Sequence, residues 1–252
     1  MKRRYRILID LILIIIIIFI SRSDLSANVF SKKQGRDDLP IYRVAREDKS
    51  IALTFDINWA ENEQLYNILD VLDKYNVKGT FFIMGSWVNY SDENVQKLKQ
   101  IYEGGHEIGN HSYKHPMFSQ ISNEKIMEEL YKTDKIIEDT LGIKTNLFRF
   151  PSGDYSKEAV KYINSLGYKI IQWDVDSVDW KNIGEEYEYN RVYDNKKSGS
   201  IVLYHNNTKY TVTNLEKIIK KLSEEEYKFL KVSELIYQEN YYINEQGEQI
   251  KN

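Results

Sequence analysis

The sequence predicts an α/β fold in which roughly seven parallel strands alternate with helices and close into a barrel. From residue 50 onward, short apolar runs alternate with amphipathic stretches in units of about 25–30 residues. Such alternation implies parallel strands joined by right-handed crossovers. Ionisable residues also stand at the ends of many different runs. This favours a barrel over an open doubly wound sheet, because every strand end of a barrel faces one cavity.

The individual elements follow from apolar spacing and stop signals. Strands are predicted at 41–44, 51–56, 79–84, 107–111, 147–151, 170–176, 201–205 and 229–232. Apolar residues at helical spacing predict helices within 65–72, 95–101, 126–141, 159–166 and 215–222. Ser122 opens the longest helix and Gly142 ends it. No glycine-rich phosphate loop follows the first strand, which argues against a dinucleotide-binding fold.

Composition narrows the classes of function. The chain has 252 residues, a net charge of −3 and 29% charged residues, so nothing draws it generally to nucleic acid. No basic run lies beside an aromatic platform, and we expect no nucleic-acid partner. Cysteine is absent, which excludes disulfides and thiolate chemistry.

The N-terminus carries an export signal. A basic flank at 1–6 precedes an apolar segment at 7–20, the order found in signal peptides and membrane anchors. The apolar segment is shorter than the ~20 residues that an untilted membrane span needs. The cleavage site at 25–27 lacks the preferred small residue at Leu25. A cleaved signal peptide and a retained membrane anchor therefore both remain open, and the anchor is slightly favoured. A linker (21–40), the main domain (41–236) and a polar tail expected to be frayed (237–252) follow. We expect the domain to work outside the cytoplasmic membrane.

Two histidines suggest a metal site. His111 and His115 are four residues apart, and one helical turn ending before Pro116 would place both imidazoles on one side. Two loop histidines are the alternative. The chain has only four histidines, and His205 ends another strand, which favours a functional set. His106 follows two glycines and is expected to be a structural hydrogen-bonding residue.

Carboxylates and a buried cation complete the pattern. Asp56 ends the first strand of the barrel, where it could take a proton from water or cap the next helix. Arg149 lies on a strand and needs a carboxylate partner, for which Asp56 is the natural candidate.

A third group of candidates lies further along the chain. Asp174, Asp176 and Asp179 precede Trp180, whose indole suits the apolar face of a sugar or an acyl methyl group. His205, oriented by an aspartate, could deliver a proton to a leaving amine near neutral pH.

These motifs together resemble the polysaccharide deacetylase family. They are Thr54-Phe-Asp56, His111-Ser-Tyr-Lys-His115, Arg149-Phe-Pro151, Asp176-Ser-Val-Asp179-Trp180 and Val202-Leu-Tyr-His205, in the family's order and spacing. The match covers about residues 41–236. Within the family, the first and fourth motifs are similar to those of the sporulation-associated PdaB-type subgroup.

The resemblance implies a deformed (β/α)7 TIM-like barrel, the NodB homology domain, that removes N-acetyl groups from the amino sugars of a cell-wall glycan, either peptidoglycan or chitooligosaccharide. Asp56 would be the base, oriented by Arg149, and His205 the acid, tuned by Asp179. His111 and His115 would hold a divalent metal, zinc or a similar ion. Trp180 would line the acetyl pocket, and backbone N–H groups near Pro151 and Ser152 would help to hold the oxyanion.

The sequence departs from the family pattern at two positions. The family's first motif has two adjacent carboxylates, and the second ligates the metal, but Ile57 stands there. Catalytic zinc usually has three protein ligands, so two histidines predict weak binding. Ser152 stands where the family often has tyrosine, which a backbone oxyanion donor tolerates.

Three hypotheses follow. The first is a divergent deacetylase with a two-histidine metal. The second is a glycan-binding pseudoenzyme without metal, motivated by Ile57. The third is a glycosidase that uses Asp56 with Asp176 or Asp179, which ranks last because it leaves the histidine pair without a role.

Overall fold

The protein is described by a computed structural model that covers residues 35–59 and 62–252. The predicted export segment at 7–20 and most of the linker at 21–40 lie outside the described residues. Within the described residues, no helix is long and apolar enough to cross a membrane.

Strands and helices alternate through most of the described chain. The strands are β1 (Arg43–Val44), β2 (Ser50–Ile57), β3 (Thr80–Ile83), β4 (Glu107–Asn110), β5 (Leu147–Phe148), β6 (Lys169–Ile170), β7 (Val175–Asp176), β8 (Ile201–His205), β9 (Lys228–Phe229), β10 (Tyr241–Ile243) and β11 (Glu248–Lys251). The helices are α1 (Leu65–Lys74), α2 (Gly85–Val88), α3 (Asp92–Glu103), α4 (Asn123–Leu141), α5 (Lys157–Ser165), α6 (Glu185–Tyr193), α7 (Thr211–Glu224) and α8 (Val232–Leu235).

The main sheet is parallel and curled. Its strand order is β6-β5-β4-β3-β2-β8-β7, with β9 added to the start of β2. The edge strands β6 and β7 are consecutive in the chain, and only residues 171–174 join them. Four linking residues can span at most about 18 Å, whereas the edges of a flat seven-stranded sheet would lie about 29 Å apart. The sheet must therefore curl, which confirms the predicted barrel in its deformed form.

The curvature also corrects one predicted strand. The apolar run 170–176 is two strands at opposite edges, because the chain leaves β6 after Ile170 and joins β8 from Val175 onward. The predicted strand at 229–232 is likewise only β9, and α8 begins at Val232.

Helix boundaries follow local chemistry. The hydroxyl groups of Ser91, Ser122 and Ser156 accept N–H bonds from the first turns of α3, α4 and α5. Gly142 ends α4 at φ 70°, a conformation that favours glycine. Apolar residues of the helices pack against one face of the sheet, and a second apolar cluster that includes Ala52, Phe82 and Ile201 fills the opposite face. The core holds the strand ends in fixed positions.

The C-terminal tail forms paired strands, although its polar composition predicted that it would be frayed. β10 and β11 form an antiparallel pair, and β11 also pairs in parallel with β1. The buried side chain of Gln249 accepts the N–H of Tyr237 and donates to its carbonyl, at 2.8 and 2.7 Å. Backbone pairing therefore orders a segment whose sequence shows no apolar pattern.

Candidate active site

The predicted residues meet at the carboxyl ends of the strands. Asp56 lies on β2 directly opposite His205 on β8, and Phe82 on β3 is its other register partner. His111 follows the last residue of β4, and Arg149 follows the last residue of β5. The structure therefore brings these four residues to the same rim of the sheet.

Asp56 and Arg149 form a buried ion pair. Nη1 of Arg149 donates to Oδ1 of Asp56 at 2.9 Å, and neither side chain is more than 5% exposed. The guanidinium also donates to the carbonyls of Ile171 and Gln172 at 3.2 Å and lies 4.1 Å from the ring centre of Phe82. Burial alone would raise the pKa of Asp56, but the neighbouring His111, Arg149 and His205 outweigh it and lower that pKa. The predicted contact is therefore present, and it favours an ionised carboxylate.

His205 and Asp179 form the second pair. Asp179, in a 3-10 turn after β7, is buried, and its Oδ1 lies 2.7 Å from Nδ1 of His205. Its Oδ2 accepts the backbone N–H of His205 and the hydroxyl of Thr211, at 2.7 and 2.9 Å. Burial would lower the pKa of His205, but the hydrogen bond and charge of Asp179 outweigh it and raise that pKa. His205 is therefore favoured as an imidazolium with its Nε2 proton free to be given away.

The imidazole of His111 lies between the carboxylate of Asp56 and the backbone carbonyl of Arg149. Its Nδ1 is 3.0 Å from the carbonyl oxygen of Arg149, an acceptor, so Nδ1 carries the proton in the neutral ring. Its Nε2 then faces Oδ2 of Asp56 at 3.5 Å with a lone pair. Burial lowers the pKa of His111 to about 4, against the opposing charge of Asp56. A neutral imidazole fixed by a backbone carbonyl is the usual form of a metal-ligating histidine.

His115 reaches the site by a loop, which corrects the predicted helical turn. Ser112 and His115 have φ values of 65° and 59°, and the two histidine rings are 5.0 Å apart at their centres in an edge-to-face arrangement. The hydroxyl of Ser112 accepts the N–H of His115 at 3.0 Å. Pro116 disfavours helix at the preceding residue, and the loop satisfies its donors elsewhere.

Glu129 holds that loop and was not expected from the sequence. This carboxylate on α4 is 1% exposed. Its Oε2 accepts the backbone N–H groups of Tyr113 and Lys114, at 2.9 and 2.6 Å, and the hydroxyl of Ser112 at 3.2 Å. Lys125, one turn earlier, pairs with its Oε1 at 3.3 Å. In the sequence Glu129 is one of many charges on an amphipathic helix, so no signal distinguished it.

The third metal donor is missing. Ile57 is fully buried among the apolar core residues, on the strand face opposite to Asp56. Over the described ranges, no group of three His, Cys, Asp or Glu side chains is placed to share an ion. His111 and His115 are therefore two donors of the kind that zinc prefers, but the residues present do not fit the three-donor set of a catalytic zinc site.

The residues predicted to contact the substrate follow β5 and β7, and they differ in how exposed they are. Pro151 is buried and begins a 3-10 turn in which Ser152 has φ 54° and is exposed. Trp180 follows Asp179, is 54% exposed, and donates its backbone N–H to Oδ1 of Asp179 at 2.8 Å. Asp174 and Asp176 instead serve the backbone, since they accept the N–H groups of Ile201 and Val178. His106 accepts the N–H of Gly79 at 3.1 Å, which confirms its structural role.

Known proteins with similar sequences include polysaccharide deacetylases. The polysaccharide deacetylase family model matches residues 43–171. The chain is 36% identical to the uncharacterized protein YlxY of Bacillus subtilis over 197 residues, 78% of this chain and 60% of that protein. It is 35% identical to the peptidoglycan-N-acetylglucosamine deacetylase PgdA of Listeria monocytogenes over 202 residues, 80% of this chain but only 42% of that one. The chain thus spans roughly half the length of these relatives.

A solved structure is similar in both fold and sequence. A CE4 family pseudoenzyme from Bacillus anthracis superposes with a TM-score of 0.73 at 38% identity, over 78% of this chain and 68% of that one. A mutant of that protein is described as having restored enzymatic activity. The family model covers more than half of the sequence, and the strand-end residues occupy one rim of a curled parallel sheet. This chain belongs to the polysaccharide deacetylase family.

Proposed function

We propose that this protein hydrolyses the N-acetyl groups of amino sugars in a cell-wall glycan, peptidoglycan or chitooligosaccharide. The observation that carries the proposal is the register of Asp56 and His205 on adjacent strands, each with its own charged partner. Two titratable groups whose surroundings push their pKa values apart, one ionised and one protonated, are suited to act as base and acid.

Each side chain then has a defined task. Asp56 accepts a proton from the water that attacks the acetyl carbonyl carbon, and Arg149 keeps this carboxylate ionised and oriented. The bond between that carbon and the sugar nitrogen breaks, and His205 gives its Nε2 proton to the leaving amine. Asp179 holds the His205 ring through Nδ1. The products are acetate and a free amino sugar.

The remaining site residues are proposed to bind the substrate. Trp180 offers an exposed indole beside the acid pair, suited to the acetyl methyl group or to the apolar face of a sugar. Backbone N–H groups near Pro151 and Ser152, in a turn with left-handed backbone, are the candidate oxyanion donors.

His111 and His115 are the side chains proposed to hold a divalent ion, zinc by donor type. A divalent ion in such a site would lower the pKa of the water bound to it. Two imidazoles fall short of a full donor set, so we assign no catalytic step to the ion.

We also propose that the protein acts on the extracytoplasmic side. The substrate is a cell-wall polymer, and residues 7–20 read as a signal peptide or membrane anchor. A role in sporulation rests on the resemblance of the first and fourth motifs to the PdaB-type subgroup.

A glycan-binding pseudoenzyme is the second candidate. It is favoured by the buried, apolar Ile57 and by the similar pseudoenzyme structure from Bacillus anthracis. The catalytic pairs would then be retained for shape while the cleft still binds glycan.

Acetate release separates the two candidates. The full chain is incubated with peptidoglycan fragments or chitopentaose, with a chelator or with added zinc or cobalt, and free acetate is measured beside glycan binding. Acetate release supports the hydrolase. Glycan binding without acetate under every metal condition supports the pseudoenzyme, and the absence of both contradicts both proposals.

A further inference from the structure

A second cavity lies next to the candidate active site. It has a volume of about 370 Å³ and is bordered by Trp59 and Glu63, which follow β2, and by residues of α1, α2 and α3. Its volume is in the range of small-molecule sites, which begin at roughly 300 Å³. None of its side chains has a task in the chemistry proposed above.

Exposed aromatic rings line this cavity. Trp59 and Tyr90 are 45% and 73% exposed, and their rings meet edge to face with centres 4.6 Å apart. Tyr66, on α1, is a third lining ring and is 41% exposed. Large aromatic side chains gain from burial, so three that share one cavity and stay open to water are placed for a ligand.

Charged groups that are already fixed form the polar part of the cavity. Lys97 is 8% exposed and is paired with both Glu63 and Glu93, the latter at 2.8 Å. The carboxylate of Glu63, whose side chain is 13% exposed, is held in this way and is a strong acceptor for ligand hydroxyl groups that needs no reordering on binding. Aromatic faces beside fixed acceptors match a sugar ring, which has apolar C–H faces and a hydroxyl rim.

Hydrogen bonds fasten the cavity wall to the catalytic rim. Asn206, the residue after His205, donates to Oε1 of Glu63 at 2.8 Å and to the carbonyl of Asn58 at 3.1 Å. Trp59 follows Asn58, three residues after Asp56. The cavity wall is therefore joined, through the residues that follow β2 and β8, to the strand ends that carry Asp56 and His205.

We propose that this cavity is a glycan subsite that binds a sugar ring neighbouring the N-acetylated sugar at Asp56 and His205. The inference rests on the proposed function for the class of ligand and extends it to a second ring. A ligand with one or two sugars would gain little from the cavity, whereas a longer chain would gain the contacts with Trp59 and Tyr90. The protein would thus prefer polymeric over short glycans.

Calorimetric binding of chitopentaose and chitobiose to the full chain tests this subsite. Trp59→Ala and Tyr90→Ala are each expected to weaken chitopentaose binding by about tenfold, as truncation of an aromatic anchor does, and to leave chitobiose binding nearly unchanged. Trp59→Phe keeps a flat ring and should restore most of the affinity. Tyr131→Ala removes a ring that is 63% exposed on α4, outside this cavity, and should bind both glycans as the wild type does.

The outcome is independent of catalysis. Length-dependent binding that needs Trp59 and Tyr90 supports the subsite even when no acetate is released. Equal loss in Tyr131→Ala, unchanged chitopentaose affinity in both alanine variants, or a wild type that binds no chitopentaose overturns it. If acetate is released while the alanine variants keep the wild-type KM for chitopentaose, the subsite fails and the proposed function stands.

Discussion

Asp56 and His205 are register partners on the neighbouring parallel strands β2 and β8. Partners in register lie about 4.8 Å apart along the sheet and project to the same face. Burial raises the pKa of Asp56, but its basic neighbours outweigh burial and lower that pKa. Burial lowers the pKa of His205, but Asp179 outweighs burial and raises that pKa. Strand pairing, rather than loop geometry, therefore sets the spacing of the proposed base and acid.

Arg149 is expected to be a major contributor to stability. Arg149→Met would leave Asp56 buried without its cation and should lower the free energy of unfolding by about 3–5 kcal/mol. Chemical denaturation measures the change. Lys135→Met, at a solvent-exposed pair with Asp139, should cost less than about 1 kcal/mol and serves as the control. Equal effects of the two substitutions would contradict the buried ion pair.

Asp179 is expected to set the protonation of His205. In Asp179→Asn the largest charge that raises the pKa of His205 is lost while burial remains, so that pKa should fall, although Asp56 and Asp176 still raise it. NMR titration of the imidazole resonances follows the change. Asp194→Asn, at the exposed end of α6, should leave the titration unchanged. A His205 titration unaffected by Asp179→Asn would rule out the proposed tuning.

Glu188 predicts a pH-dependent stability. It is 3% exposed on α6, and burial together with the charge of Asp179 raises its pKa from 4.5 to about 7. The folded state therefore holds this proton more tightly than the unfolded state does. Its stabilising contribution is present below pH 4.5 and is lost as the pH rises through about 7, a change of about 3 kcal/mol.

Glu188→Gln removes that titration without changing the shape of the side chain. The free energy of unfolding of Glu188→Gln relative to the wild type should increase by about 3 kcal/mol between about pH 4 and about pH 8. Glu186→Gln, exposed on the same helix, should show no such trend. A constant difference across the pH range for Glu188→Gln would show that Glu188 keeps an ordinary pKa.

The two-histidine donor set predicts weak metal binding. Zinc should bind the full chain with a dissociation constant of roughly micromolar or weaker, since a third protein donor is missing. His111→Ala should abolish this binding, and a chelator should leave the Tm unchanged because the core does not depend on the ion. Nanomolar binding, or binding that survives His111→Ala, would contradict this description of the site.

The sequence predicted the positions of the proposed base and acid because strand ends are easy to recognise. Asp56 and His205 each close an apolar run, and a charge as buried as Arg149 requires a partner, so their convergence follows from parallel strands alone. The same argument gave the curled sheet. The break between β6 and β7 was missed because apolar residues recur from Ile170 to Val175, so that 170–176 resembles one strand.

Other features depended on contacts that the sequence does not display. The loop from His111 to His115 is determined by Glu129, which lies 14 residues beyond His115 on an ordinary amphipathic helix. The polar tail is ordered by pairing of β11 with β1, about 200 residues earlier in the chain. Ile57 was recognised as a missing ligand, but its place in the core required the strand direction.

The most direct test of the account is the rate of acetate release from chitopentaose by the wild type and by Asp56→Asn, at saturating zinc. The proposed base predicts measurable release by the wild type and a loss of about a hundredfold or more in Asp56→Asn, which keeps the side-chain shape but cannot accept the proton as a carboxylate does. Equal rates in the two proteins, or no release by a wild type that still binds chitopentaose, would contradict it.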